Sequence, residues 1–242
     1  MFEIDKWAIQ QLQKLIVDVM EAYETFAFHR VFSLIYNFCT VEMSNIYMDV
    51  LKDRMYCDAA DSPSRRSGQT AMHKILDSLV RMLAPILAHT AEEAWAAMKV
   101  KSQDVESVHL AQMPKADESI DLRKDEQKWQ KLMALRDEAL WVLEGLRQDK
   151  TIGSNQEASV TIQCDDEDAK RLNEFGVKQF AALCIVSEVK LEKAAGERKI
   201  LAQKSSYNKC QRCWNYWQSV GADTQYPDVC TRCASVLKEL AK

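Results

Sequence analysis

The sequence predicts a mostly α-helical chain that contains a helical bundle, a small α/β unit and a four-cysteine zinc module. Three observations support this fold class. The 242 residues include only six glycines and four prolines, which favours helix over irregular structure. Apolar residues recur at helical spacing in five segments of the first 148 residues, and shorter, strand-like runs follow. Near the carboxyl end, four cysteines have the spacing of zinc ligands.

Two long helices are predicted at the start of the chain. Asp5 is the expected N-cap of the first helix, because apolar residues follow it at helical spacing as far as Tyr23. The second pattern extends from about residue 26 to residue 51. Together they predict the first half of a helical bundle.

Two further helices complete the predicted bundle. Residues 57–68 interrupt the pattern with a turn, in which Ser62 can cap a third helix and Pro63 can take its first position. That helix is expected to continue to Pro85. Thr90–Glu93 has the form of a capping box and predicts a short fourth helix. Four helices with short connections predict a bundle.

The pattern changes after a fifth helix, which is predicted from about residue 122 to residue 148. Residues 158–162 alternate as a strand does, and residues 165–173 resemble a short acidic helix. Residues 183–186 are predicted to form a second strand. Residues 194–204 are charged and weakly patterned, which fits either a poor strand or a linker.

Three domains are therefore expected. Residues 1–120 would form the helical bundle, residues 121–203 a junction helix with a small α/β unit, and residues 204–242 the zinc module.

The candidate metal ligands are Cys210, Cys213, Cys230 and Cys233. Two residues separate the members of each pair, and sixteen residues separate the pairs. This spacing lets two tight turns direct four thiolates at one ion, which leaves no open position and predicts one structural zinc ion. The alternatives are two disulfides or four independent buried thiols.

Composition restricts the other functions of the chain. The net charge of -4 means that nucleic-acid binding would have to depend on local basic patches. No stretch is long and apolar enough for a membrane span, and the start lacks the features of a signal peptide. The remaining cysteines are therefore expected to be reduced thiols in a cytoplasmic protein: Cys39, Cys57, Cys164 and Cys184.

No catalytic site is evident in the sequence. None of the four histidines has a nucleophile or a paired carboxylate at motif spacing, and no glycine-rich phosphate loop occurs. The acidic run Asp165–Asp168 could bind a cation, but it also suits a solvated helix start.

Two features favour RNA binding. In the predicted zinc module, Trp214 and Trp217 lie near Lys209, Arg212 and Arg232. Exposed rings beside cations suit single-stranded bases, which stack while the cations hold phosphate. Alternatively, the rings pack a small module that has little other core; for Trp214 both roles remain open, and for Trp217 an exposed ring is expected.

The second feature is Arg65-Arg66, in a polar turn near the start of the third helix. The two guanidinium groups could hold phosphates, although exposed arginines are common.

Ten stretches of the chain carry one resemblance: Ala22-Tyr23, Phe28-His29, Tyr36–Phe38, Lys52–Tyr56, Asp61–Pro63, Arg65–Thr70, Ser107–Leu110, Met113-Pro114, Leu135–Glu138 and Ile152-Gly153. They are similar to the anticodon-binding bundle of isoleucyl-tRNA synthetases. Leu83–Leu87 and Thr90–Trp95 resemble the bundle that the synthetases for isoleucine, valine and leucine share. Lys209–Tyr216 and Cys230–Cys233 are similar to the C-terminal zinc module of the bacterial enzymes. After Gly153 the sequence departs from the family pattern at Ser154-Asn155-Gln156, so we assign no role to that turn.

The resemblance implies that this chain is the tRNA-binding part of an isoleucine-tRNA ligase and binds the anticodon arm of isoleucine tRNA. The family's His-Ile-Gly-His and Lys-Met-Ser-Lys-Ser motifs, which serve ATP-dependent aminoacylation, do not occur here. The chain alone is therefore expected to be catalytically inactive and monomeric. ATP is expected to bind only in the full-length enzyme.

The candidate tRNA contacts, in decreasing order, are Arg65, Arg66, Trp214, Arg212, Trp217, Lys209 and Arg232. A rival prediction is a helical, zinc-containing protein-interaction scaffold, which the net negative charge suits slightly better.

Overall fold

A computed structural model describes residues 1–98, 100–194 and 196–241, and its helices confirm the predicted mostly α fold. Ala195, in the predicted charged segment, and Lys242, in the predicted zinc module, lie outside the described residues. The chain forms two units, one from residues 1–48 and 60–124 and the other from residues 49–59 and from residue 125 onward. The three-domain division stays a prediction.

The first unit is helical. In chain order its elements are α1 (Glu3–Glu24), α2 (Phe28–Asn37), a π-helical segment (Phe38–Tyr47), α4 (Pro63–Leu83), α5 (Ala88–Ala97) and a 3-10 turn (Val108–Leu110). Helix α3 (Met48–Cys57) lies between the π-helical segment and α4 in the sequence, but from Asp49 onward it belongs to the second unit. Helix α1 packs against α2, the π-helical segment and α4, and α4 packs against α5. The apolar stripe of α1, which includes Leu12, Ile16 and Val19, is buried in this bundle.

The predicted N-cap role of Asp5 is wrong. Helix α1 begins at Glu3, and Asp5 lies inside it with none of its surface exposed. Its carboxylate accepts hydrogen bonds from the hydroxyl groups of Tyr47 and Ser67. An acid followed by an apolar stripe suits both a cap and a buried acceptor. Distant donors decide between these roles, and local spacing does not reveal them.

The predicted second helix is present but is not a uniform α-helix. Helix α2 begins at Phe28 because Phe26 has a left-handed backbone with φ 55°. The segment Phe38–Tyr47 is π-helical, and within it the Ser44 hydroxyl donates to the Cys39 carbonyl, five residues earlier, at 2.7 Å. Wider turns of this kind disrupt the 3.6-residue period, so the apolar pattern alone could not indicate them.

The predicted start of α4 is confirmed, whereas that of α5 is wrong. The Ser62 hydroxyl accepts from the Arg65 backbone N–H at 3.1 Å, and Pro63 takes the first helical position. Helix α5 begins at Ala88, before the predicted capping box at Thr90. Its N-cap is Leu87, which makes no side-chain cap, and the Ala91 N–H already donates to the Leu87 carbonyl at 2.8 Å, so the helical hydrogen bonding begins before Thr90. Glu92, which is not the acid of the predicted box, accepts from the Ser107 hydroxyl at 2.8 Å.

The second unit contains two small sheets and several helices. Beyond α3, its elements are α6 (Glu126–Gln148), a 3-10 turn (Asn155–Glu157), β1 (Ala158–Cys164), α7 (Asp166–Phe175), α8 (Val177–Cys184), β2 (Glu188–Lys193), β3 (Lys199–Lys204), β4 (Asn208–Lys209), β5 (Tyr216–Trp217) and α9 (Thr231–Leu240). Strand β1 is central in the order β2-β1-β3 and pairs parallel with β2 and antiparallel with β3. Strands β4 and β5 form a separate antiparallel pair.

Several predictions for this unit are confirmed. Strand β1 covers the predicted residues 158–162, and α7 has Asp165 as its N-cap, with a 2.9 Å bond from the Asp168 N–H. The charged segment ends in β3, which favours the strand alternative. Helix α6 begins at Glu126, four residues later than expected, after Asp125 with φ 59°.

The strand predicted at residues 183–186 is wrong. Leu183 and Cys184 end helix α8, Ile185 terminates it with φ 58°, and β2 begins at Glu188. Leu183 and Cys184 are almost completely buried. A short buried apolar run has no polar face, so its periodicity cannot separate a strand from a helix end.

None of the helices described by the structure combines the length and the apolarity that a membrane crossing requires.

Candidate metal centre and nucleic-acid interface

The four predicted metal ligands meet at one point of the second unit. Their Sγ atoms all lie within 4.8 Å of one another, and all four residues are buried. Cys210 follows strand β4, Cys230 precedes the first residue of α9, and Cys233 lies in its first turn. Among the described residues, no other group of histidine, cysteine or acidic side chains has such an arrangement.

The geometry fits a four-thiolate zinc site better than either alternative. Sulfurs bound to zinc at about 2.3 Å in a tetrahedron lie about 3.8 Å apart, whereas a disulfide holds them at about 2.05 Å. The Sγ atoms of Cys213 and Cys230 are 4.0 Å apart, and all eight cysteines are free thiols. The cluster therefore excludes both disulfides and independent thiols in this structure.

Backbone N–H groups favour a thiolate at Cys210. Burial of this side chain opposes ionisation, but hydrogen bonds from the backbone N–H groups of Cys213, Cys230 and Arg212 lower the pKa of its thiol to about 7. The Cys230 N–H lies 3.3 Å from the Cys210 sulfur. Zinc binds the thiolate form, so these N–H groups favour that form at Cys210 alone. Interactions among the sulfurs, together with burial, raise the pKa of the Cys213 and Cys230 thiols to about 11.

The first pair of ligands is held by a tight turn. The Cys210 N–H donates to the Asn215 carbonyl, and the Trp214 N–H donates to the Cys210 carbonyl, both at 2.9 Å. Trp214 has a left-handed backbone with φ 65°, which closes the turn. The second pair uses the start of α9, where the Ala234 N–H donates to the Cys230 carbonyl at 2.9 Å.

Another buried cysteine, Cys57 at the end of α3, packs against the same cluster. Burial raises the pKa of its thiol to about 12, and the nearby charge of Asp53 contributes. Its sulfur lies 3.5 Å from the Arg212 carbonyl, to which it can donate. Cys57 therefore fits a packing role and stays outside the group of four ligands.

Both candidate arginines of the zinc module contact α3. The Arg232 guanidinium donates to both carboxylate oxygens of Asp53 at 2.6 Å. The Arg212 guanidinium donates to the carbonyls of Cys57 and Tyr56, at 2.5 Å and 3.5 Å. The sequence provides no signal for these contacts, because the partners lie 155 to 179 residues apart.

Lys209 and Trp214 form an exposed cation–aromatic pair. The Lys209 ammonium lies 5.4 Å from the centre of the Trp214 ring, and 60% of the Trp214 surface is exposed. A ring that packed the module would be buried, so the stacking alternative for Trp214 has geometric support.

Trp217, unlike Trp214, does not have an exposed ring. Trp217 is half-buried in strand β5 and packs against the cysteine cluster. This corrects the expectation of an exposed ring, because a small module needs large side chains around its metal ligands. Next to it, the Tyr216 N–H donates to the Ser187 hydroxyl at 2.7 Å, and Ser187 donates to the Gln156 carbonyl.

Arg65 and Arg66 lie in the first turn of α4, in the other unit. Arg66 is exposed, and its guanidinium lies 3.3 Å from the Gln69 side-chain oxygen. Arg65 is half-buried, and its backbone N–H takes part in the Ser62 cap. No ion pair between a carboxylate and the Arg66 guanidinium is found among the described residues.

Two known protein families match two separate stretches of the chain. Residues 5–162 match the family described as the anticodon-binding domain of tRNA ligase, and residues 208–236 match the zinc finger found in FPG and IleRS. The second match covers all four clustered cysteines.

Curated relatives extend the likeness to almost the whole chain. An isoleucine–tRNA ligase of Carboxydothermus hydrogenoformans is 44% identical over 99% of this chain, which corresponds to 26% of the relative. Isoleucine–tRNA ligases of Caldicellulosiruptor saccharolyticus and Syntrophotalea carbinolica are 40% and 39% identical over 98% and 99% of the chain, again 26% of each relative. The chain thus spans about a quarter of the length of these relatives. The matches do not favour the scaffold alternative.

Proposed function

The chain belongs to the family of anticodon-binding domains of tRNA ligases, and on that premise we propose that it binds the anticodon arm of an isoleucine tRNA. The family match over residues 5–162 is the observation that carries this proposal. The choice of isoleucine tRNA rests on the relatives, which are named isoleucine–tRNA ligases.

This binding would serve a larger enzyme. We propose that the chain is the tRNA-binding part of an isoleucine–tRNA ligase, in which other domains carry out ATP-dependent aminoacylation. Its contribution would be binding and orientation, since a tRNA held at one end presents its distant acceptor end in a restricted set of positions. The chain alone would neither bind ATP nor aminoacylate tRNA.

Within the second unit, we propose that Lys209 and Trp214 contact RNA directly. Their support is the exposed ring with a cation beside it, an arrangement that suits an unstacked base next to a phosphate. Trp217, Arg212 and Arg232 have protein partners in this structure, so we propose that they support the binding surface and do not themselves contact bases.

Within the first unit, Arg65 and Arg66 are proposed phosphate contacts. The exposed Arg66 guanidinium and the adjacent half-buried Arg65 lie at the amino end of α4, where the helix dipole also favours an anion.

The four cysteines would hold one zinc ion, with Cys210, Cys213, Cys230 and Cys233 as thiolate ligands. Four thiolates leave no open position, so the ion would hold the module together without acting on a substrate. A monomeric state and a cytoplasmic location belong to the same proposal, as expected for a tRNA ligase.

The test is binding of the zinc-loaded chain to a labelled hairpin with the anticodon-arm sequence of isoleucine tRNA, at fixed moderate salt. A hairpin with the same stem and a scrambled loop is the control, because phosphate contacts alone would bind both equally. Tighter binding of the native loop supports the proposal. Equal binding of the two hairpins, or none, contradicts anticodon recognition by this chain.

A further inference from the structure

The two cysteine pairs share a feature that zinc binding does not require. Each pair has an arginine directly before its second cysteine, Arg212 in the first and Arg232 in the second. The two arginines reach the same helix, although they come from opposite ends of the module. Their partners on α3 are Asp53, Tyr56 and Cys57.

These partners occupy consecutive turns at the end of α3. Arg232 binds the Asp53 carboxylate at two points, and its guanidinium also lies 3.6 Å from Asp58. Arg212 donates to the last carbonyls of the helix, where a cation is favoured by the helix dipole. The Cys57 side chain completes the contact by packing into the cysteine cluster.

Cations beside its carboxylates, from the zinc module and from α3 itself, lower the negative charge of α3. Two-point pairing with Arg232 neutralises Asp53, and Lys52 lies 2.6 Å from Asp49. Asp58, which would also repel phosphate, has the Arg232 guanidinium nearby. Asp49 and Asp53 on α3, and Asp58 directly after it, therefore each have a cation nearby.

Tyr56 lies between Asp53 and Asp58 in the sequence, and 76% of it is exposed. Its carbonyl lies 3.5 Å from the guanidinium of Arg212, which precedes the exposed Trp214 by two residues. Arg212 therefore joins the backbone of one exposed aromatic residue on α3 to the turn that carries another in the zinc module. An exposed tyrosine that follows carboxylates already paired with cations, and whose backbone has a cation beside it, suits a stacked base.

We propose that Tyr56 is a second base-stacking residue of the RNA site and that the arginine pair, Arg212 and Arg232, positions it beside Trp214. The occupant is single-stranded RNA, and the inference rests on the proposed function. The four cysteines hold both arginines in place, so the metal module also positions α3.

The first test compares variants of the zinc-loaded chain for binding of the isoleucine anticodon-arm hairpin. Tyr56→Ala is expected to weaken binding about 5- to 100-fold, the effect of one lost base–aromatic contact. Tyr56→Phe keeps the ring and should bind within about twofold of the unaltered chain. Trp141→Ala is the control, since Trp141 is an 80% exposed ring on α6 of the same unit.

These outcomes separate the inference from the proposed function. If the unaltered chain prefers the native loop and Tyr56→Ala binds equally well, the inference is wrong and the proposed function stands. An equal loss of hairpin binding in the Trp141→Ala variant would also overturn the inference. If the unaltered chain does not bind the hairpin, both are overturned.

The second test concerns the arginine pair, with Asp53→Ala as the decisive variant. If Asp53 acted only by repelling phosphate, its removal would strengthen RNA binding. Because Asp53 holds Arg232 and thereby α3, its removal is expected to weaken binding about threefold to tenfold. Stronger or unchanged binding would reject the positioning role.

Hydrogen exchange provides a readout that is independent of RNA. Both Asp53→Ala and removal of the metal with a chelator should speed exchange of the backbone amides of residues 53–57, because each frees the end of α3 from the module. Unchanged exchange after chelation would show that the metal does not position α3.

Discussion

The Tyr47 hydroxyl donates a 2.8 Å hydrogen bond to the Asp5 carboxylate, although 42 residues separate them and neither side chain is exposed. The Ser67 hydroxyl donates to the other carboxylate oxygen. One buried acid therefore joins α1, the π-helical segment and α4 at the centre of the first unit. Such a group stabilises a fold only while its hydrogen bonds are made.

Removing the Tyr47 hydroxyl should destabilise the first unit. Tyr47→Phe is expected to lower the free energy of unfolding by about 1–3 kcal/mol, because a buried carboxylate loses a donor. Chemical denaturation followed by circular dichroism measures the change. Tyr36→Phe, at a 57% exposed position, is the matched control and should stay within about 0.5 kcal/mol. Equal effects of the two substitutions would contradict a structural role for the buried bond.

The carboxyl group of Glu92 should titrate at an unusually low pH. The hydrogen bond from the Ser107 hydroxyl, with a further bond from the Val108 N–H, lowers the pKa of this side chain. A pKa lowered in the folded state adds stability above the unfolded pKa of about 4.3, and that stability is lost as the pH falls through the folded pKa. In an NMR titration, Ser107→Ala should raise the pKa of Glu92. An identical titration in both proteins would show that the Ser107 contact has no influence.

Removing the metal should unfold the zinc module without unfolding the bundle. Apart from the cysteine cluster, the module has few buried apolar residues, and α9 is its one long helix among the described residues. A chelator is therefore expected to release residues from about 204 onward to proteolysis, while circular dichroism retains most of the helical signal. Cys233→Ser should behave like the chelated protein, whereas Cys39→Ser, outside the cluster, should retain zinc. Loss of most helical signal would mean that the metal supports the whole chain.

Replacing Arg65 and Arg66 together with alanine should weaken binding of the anticodon-arm hairpin and reduce its salt dependence. Each phosphate contact contributes about one unit to the slope of log affinity against log salt concentration. Binding titrations at several salt concentrations measure that slope. Arg147→Ala removes a similar exposed cation, paired with Glu144 on α6, and should leave the slope unchanged. A slope that also stays the same in the double variant would reject phosphate contact.

Trp214→Gly separates the ring of Trp214 from its role in the turn. Because φ is 65° at this position, glycine adopts the backbone conformation without strain, and the zinc module should keep its thermal stability. Loss of the exposed ring should weaken hairpin binding about 5- to 100-fold. Unfolding of the module in this variant would instead indicate a packing role for the ring. Unchanged affinity with a stable module would remove Trp214 from the RNA site.

Features that depend on local spacing could be predicted from the sequence. The Ser62-Pro63 helix start, strand β1 and the acidic helix α7 follow from residues within a few positions of one another. The four cysteines are the strongest case, because ligand spacing within each pair already restricts the geometry that the turn can adopt.

Predictions failed where a local pattern had a distant competitor. Asp5 has the sequence context of an N-cap, yet hydroxyl groups 42 and 62 residues away bind it inside the helix. Buried hydrogen bonds of this kind are worth at least as much as a local cap, so local preference does not decide the outcome.

By itself, the sequence determined the mostly α class, the set of four cysteines that cluster and the family resemblance, since short-range spacing and residue identity carry all three. Only the tertiary structure decided that residues 49–59, which the sequence places within the bundle, belong to the unit that also contains the four cysteines. The reason is physical. The ion pair between Asp53 and Arg232 and the burial of Cys57 join residues more than 150 positions apart, and no periodicity along the chain records which distant side chains meet.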